Sequence, residues 1–120
     1  MHLMLFIAGI FGALAVILGA LGSHALVFSP EQMVSWDVAL RYMMFHASAL
    51  LVVALLYDRR PGRWLLISGG LMALGTLCFS GSIIVMLLSG ITFLWPVTPL
   101  GGVLLMISWL WFVAGAWYHR

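Results

Sequence analysis

The sequence predicts an all-α membrane protein, a bundle of four transmembrane helices with a short interfacial helix between the first two. Three observations carry that reading. Of the 120 residues, 65% are hydrophobic and only 7% charged, with a mean hydropathy of +1.21, too little polar surface to clothe a water-soluble globule. The apolar residues fall into four runs, each close to the roughly 20 residues a helix needs to cross the hydrocarbon core. Short segments rich in Gly, Pro, Ser and Arg separate them. Irregular backbone cannot face lipid with its N–H and C=O groups unpaired, so the breaks belong at the membrane surfaces. Residues 1–120 read as a single transmembrane domain.

The first span covers residues 3–26. No Lys or Arg precedes it, and it is longer than the apolar core of about 7–15 residues in a cleaved leader, so it reads as a permanent span. Ala8, Gly12, Ala15, Gly19 and Gly22 recur at alternating four- and three-residue steps on one helix face. In lipid, helices associate by packing, and such a face lets another backbone come close. It suits another helix of this chain, a second copy or a different membrane protein.

Ser29-Pro30-Glu31-Gln32 has the makings of a helix start, with Ser29 as cap, Pro30 in the first turn and Gln32 completing a capping box. This predicts the short interfacial helix, ending near Trp36. The second span covers residues 37–57, with Asp37 and Arg41 spaced to pair across one turn. Asp58-Arg59-Arg60-Pro61-Gly62-Arg63 then turns the chain. The third span, residues 64–88, contains the small polar stretch Ser80-Gly81-Ser82, whose hydroxyls can bond back to helix carbonyls. The fourth span, residues 98–118, opens with Thr98 and Pro99, a capping pair, and repeats Gly101, Ser108 and Gly115 every seven residues, a second packing face.

Arg59, Arg60, Arg63 and Arg120 fall on one side of a four-span chain, and only Arg41 on the other. That side is expected to be cytoplasmic, with both termini on it, in a bacterial inner membrane. Trp36 and Trp95 are expected in an outer aromatic belt, and Tyr57, Trp64, Trp117 and Tyr118 in an inner one. Trp109 and Trp111 sit nearer mid-span and read as packing or lipid contacts. The pI of about 9.2 comes from five arginines against three acids with no basic run. It reflects topology, and no nucleic-acid partner is expected.

Depth can be counted at about 1.5 Å per residue from each outer helix end. By that count His24, Asp37, Arg41, Tyr42, Ser80, Ser82 and Thr98 lie in the outer half of the bundle, and His46 lies one turn beyond Tyr42, near mid-membrane. Ionisable groups are expensive in hydrocarbon unless partnered, so these eight residues are expected to form one connected cluster facing inward. His46 is the foremost candidate. Its roles stay open: a neutral imidazole that locks helix register, a proton relay, a metal ligand or a ligand contact. His24, His46 and Cys78 do not share one depth, so no metal site is expected. The lone Cys78 excludes an intrachain disulfide, and the eight methionines read as packing filler. A serine nucleophile would need a histidine and an oxyanion site together. Neither enzyme activity nor a cofactor is expected.

Four ordered motifs carry a family resemblance: Gly19-Ala20-Leu21-Gly22-Ser23-His24-Ala25-Leu26; Trp36 with Ala39, Tyr42 and His46; Phe79-Ser80-Gly81-Ser82; and Thr98-Pro99-Leu100-Gly101-Gly102. The chain resembles the small inner-membrane proteins of the YgdD type, domain-of-unknown-function family 423, whose animal relatives are called transmembrane protein 256. The resemblance spans nearly the whole chain, with Ser23 standing where alanine is expected. It implies a multi-spanning inner-membrane protein and is silent on mechanism.

The leading functional expectation is a non-enzymatic membrane module that holds a lipid headgroup or a partner's helix at the outer polar cluster. The alternative is a small oligomeric transporter or proton-coupled channel that titrates His46. A third is an assembly factor for a larger membrane complex.

Overall fold

The computed structural model describes residues 2–119; Arg120, part of the charge argument, lies outside them. The described elements are α1 (His2–His24), α2 (Pro30–Arg59), α3 (Arg63–Thr76), a π-helical turn (Leu77–Gly81), α4 (Ser82–Ser89) and α5 (Val97–Tyr118). The π turn joins α3 to α4 without a break, so four helical stretches are long and apolar enough to cross a membrane. The molecule is 47 Å long, close to the roughly 40–45 Å of a bilayer with its headgroup regions.

The capping box forms: Gln32 N–H donates to Ser29 Oγ at 3.2 Å, and Ser29 N–H donates to Gln32 Oε1 at 2.9 Å. The helix it starts, however, does not stop at Trp36. No Gly or Pro stands between Glu31 and Arg60, so α2 runs unbroken for 30 residues. The expected interfacial helix is therefore the first turns of the second membrane helix. Pro61 follows the end of α2, and Gly90 ends α4 with φ +75°, a left-handed conformation that favours glycine. Thr98 is no cap. Helix α5 starts at Val97 with Pro96 before it and no side-chain capping bond, which frees the Thr98 hydroxyl for another partner.

Helix α1 packs on α2, α2 on α3 and α4, and α3 with the π turn on α5. Half of the most apolar stretch of α2 is buried, against 17% for α5, so α2 is the central helix and α5 a flank. Among the described residues no Cα of α5 comes within 8 Å of a Cα in α1 or α2. The core runs along α1 and α2 through Met4, Ala8, Phe11, Ala15, Leu40, Met43, Leu50 and Val53, and continues into Leu65 and Met72 of α3.

The two rows of small residues fare differently. Gly101, Ser108 and Gly115 are all buried on the face of α5 that meets α3. On α1, Ala8, Ala15 and Gly22 are buried, but Gly12 and Gly19 are only half-buried. A Cβ added to Gly12 would meet no atom within 4 Å, and one on Gly19 only Leu40 Cδ1 at 3.8 Å. The tight part of the α1 seam is at its end, where Gly22 lies under the Trp36 indole. Trp36 is 1% exposed and packs against Phe28 with ring centroids 5.2 Å apart. It is a buried anchor between α1 and α2, not a member of an outer belt, because the glycine opposite leaves space for its ring.

Candidate functional site

The polar residues form separate nodes rather than the single cluster that depth counting suggests. At the π turn, Ser80 is fully buried and its hydroxyl donates to the Ala39 carbonyl of α2 at 2.7 Å. Ser82 points elsewhere, to the Phe79 carbonyl at 3.0 Å and to the Thr98 hydroxyl of α5. A π turn widens a helix and offsets its side chains. Two serines only two residues apart thus tie this helix to α2 and to α5. The backbone of the turn meets α5 at Gly101: a Cβ there would stand 2.8 Å from the Cys78 carbonyl carbon and closer still to Phe79 N.

His46 is 3% exposed on α2, and both ring nitrogens are engaged. Nδ1 lies 2.8 Å from the Tyr42 carbonyl one turn back, and Trp109 Nε1–H donates to Nε2 at 3.0 Å. A carbonyl only accepts and an indole N–H only donates, so this pair of partners fits the neutral tautomer with its proton on Nδ1. Trp109 is the partner of His46 that reading it as a packing contact misses. The signal was present: an indole N–H in hydrocarbon needs an acceptor, and Trp109 and His46 stand at similar counts from the starts of the second and fourth spans.

Of the other members of the expected cluster, Tyr42 joins the His46 node through its backbone carbonyl and a ring contact at 6.3 Å, and the rest stay outside. His24 is exposed at the end of α1 and joins none of them. Asp37 and Arg41 are both exposed and form no ion pair; at the membrane surface two mobile side chains gain little from being fixed together. Tyr42 is 43% exposed, with its ring against Phe79 at 4.8 Å. Trp111, also read as a packing or lipid contact, donates to the Trp64 carbonyl at 3.2 Å. Among the described residues no three of His, Cys, Asp and Glu gather closely enough to hold a metal ion.

What the arrangement does create is a groove. The π turn packs between α2 and α5, and side chains bridge the two helices through the His46–Trp109 bond and the Phe45–Trp109 ring contact at 5.8 Å. The gap between them has a volume of about 740 Å³. His46, Leu105 and Trp109 lie deep in it, Phe45, Met106 and Leu110 form its open lips, and Arg41 stands at the end nearer the start of α2.

Known proteins resemble this chain over nearly its whole length. A family model described as "Protein of unknown function (DUF423)" matches residues 18–102. The "UPF0382 membrane protein YwdK" of Bacillus subtilis is 38% identical over 119 residues, covering 97% of each chain. The "UPF0382 inner membrane protein YgdD" of Escherichia coli K12 is 39% identical over 116 residues, 94% of this chain and 88% of the relative. A Schizosaccharomyces pombe relative, "UPF0382 membrane protein C1782.12c", is 37% identical over 111 residues, 86% of this chain and 92% of its own. No solved structure matches.

Proposed function

We propose a function for a chain that belongs to the DUF423 family of membrane proteins: it is a non-enzymatic module that holds one membrane lipid in the groove between α2 and α5. The groove itself carries this reading. It is almost entirely apolar, opens sideways between Phe45, Met106 and Leu110, and ends at one charged group, Arg41. Its volume of about 740 Å³ lies within the roughly 300–1,000 Å³ usual for small-molecule sites. An acyl chain fits the aromatic and aliphatic walls. The Arg41 guanidinium, which has no ion-pair partner, is placed to reach a lipid phosphate at the surface. A proton relay through His46 has less support, because protonating Nε2 would require its bond from Trp109 to break.

The test is the lipid retained after purification in detergent, extracted and counted per chain. A Cβ on Gly102 would meet only the Phe79 ring, at 3.7 Å, so Gly102→Phe can fill the groove without striking backbone. The wild type should retain more lipid per chain than Gly102→Phe, which should lose the groove's share while remaining folded. Equal retention would overturn the reading. On the same reading Arg41 marks the outer surface and Arg59, Arg60 and Arg63 the cytoplasmic one. Reporter fusions at Gly62 and after Arg120 should both signal cytoplasm, and a periplasmic signal from either would reverse or break that topology.

A further inference from the structure

A second cavity, of about 570 Å³, opens at the opposite end of the bundle, where α2 turns into α3 beside the end of α5. Arg59 and Arg60 line it together with the apolar Leu56, Leu65, Phe112 and Ala116, of which Leu65 is buried. Trp64 and His119 close one side, stacked with ring centroids 5.3 Å apart and planes 5° from parallel. The His119 ring is fixed by its Nδ1, 2.9 Å from the Gly115 carbonyl. Neither the Arg59 nor the Arg60 guanidinium has an ion-pair or hydrogen-bond partner, although Asp58 precedes them in the chain. The start of α3 lines the same space through Gly62, Trp64 and Leu65.

Two unpaired guanidiniums above an apolar recess, at the level where a helix leaves the hydrocarbon, make a site with two chemistries. The upper half suits a phosphate, which arginine binds through paired N–H donors. The lower half suits hydrocarbon, and a soluble phosphate would leave it empty. We infer that this pocket binds the headgroup of an anionic phospholipid, its phosphate between Arg59 and Arg60 and the start of its acyl chain against Leu56, Phe112 and Ala116. The site is separate from the α2–α5 groove and stands or falls independently of it. A zwitterionic lipid offers the same phosphate together with a cation that opposes the arginines, so the pocket discriminates by net charge.

The experiment measures thermal unfolding of the full chain in an uncharged detergent, carried out in the Gly102→Phe variant so that the groove does not contribute. Phosphatidylglycerol should raise the midpoint by several degrees, phosphatidylcholine much less, and inorganic phosphate not at all. Arg60→Gln should lose most of the phosphatidylglycerol shift. Arg63→Gln, which removes the same charge outside the pocket, should keep it. Ala116→Phe fills the apolar half and should lose the shift with both arginines intact. Midpoints measured without lipid identify any variant that is itself destabilised, and the comparison of Arg60→Gln with Arg63→Gln then still decides. Equal shifts in those two variants would reduce the effect to general surface charge and overturn the site. A shift reproduced by inorganic phosphate would overturn the lipid as its occupant, and one reproduced by phosphatidylcholine would overturn the selection for charge.

Discussion

Helices α1 and α5 carry the same kind of signal, a row of small residues on one face, and the bundle uses the two rows differently. On α5 every member of the row is pressed against α3. Gly101 meets the backbone of the π turn, Ser108 donates to the Ser68 carbonyl at 2.9 Å, and Gly115 lies under the Trp64 ring. On α1 the row is filled only in part: Ala8 and Ala15 are buried against α2 and Gly22 against Trp36, while Gly12 faces open space. Small residues therefore mark where a close approach is permitted. Whether one occurs depends on what the opposing helix presents. Opposite Gly101 stands backbone, which needs a missing side chain; opposite Gly19 stands only the end of the Leu40 side chain, and opposite Gly12 no atom within 4 Å.

The sharpest way to break this contrast is Gly101→Ala. The new methyl would stand 2.8 Å from the Gly75 carbonyl oxygen and from the Cys78 carbonyl carbon, atoms that cannot swing aside as a side-chain end can. Overpacking of this kind costs about 1–3 kcal/mol and sometimes more, so the variant should unfold well below the wild type in detergent. An unchanged midpoint would show that α5 does not seat on the π turn.

A smaller loss is expected from Ser108→Ala, which removes one buried hydrogen bond and adds no bulk. Hydrogen bonds between membrane helices average about 0.6 kcal/mol, and the shift in midpoint should be correspondingly small. If Ser108→Ala proved as damaging as Gly101→Ala, the α5 seam would depend on hydrogen bonding rather than on steric fit.

The smallest effect is expected at Gly12→Ala, within about 0.5 kcal/mol of the wild type, as for substitutions that touch nothing. A loss as large as that of Gly101→Ala would mean that another chain covers this face of α1. Crosslinking of a cysteine at position 12 to a second copy would then identify that neighbour.

Depth was legible in the sequence and azimuth was not. Counting residues places His46, Ser80, Ser82 and Thr98 at usable levels, yet a helix can turn a side chain to any side at a given level. Ser80 and Ser82 illustrate the limit. In an undistorted α-helix two residues apart lie about 200° around the axis, which already argues against one shared site, and the π turn that fixes their directions has no signature in the sequence. The partner of His46 was open to inference, since an indole and an imidazole at matching depths can satisfy each other, but only if α2 and α5 face one another across a gap. The end of the expected interfacial helix failed for a simpler reason: nothing in the sequence after Trp36 breaks a helix, so the capping box opens a single long one.

Composition and periodicity alone establish that this chain lives in lipid, that four stretches are long and apolar enough to cross it, and which helix faces can come close, because hydrocarbon penalises every unpaired polar group and so constrains the chain locally, residue by residue. Only the tertiary structure decided which of those faces are used, that Trp109 completes His46, and that α2 and α5 stand apart with a groove between them. These depend on how four helices rotate and lean against one another, and that is set by the sum of many packing contacts between residues far apart in the chain.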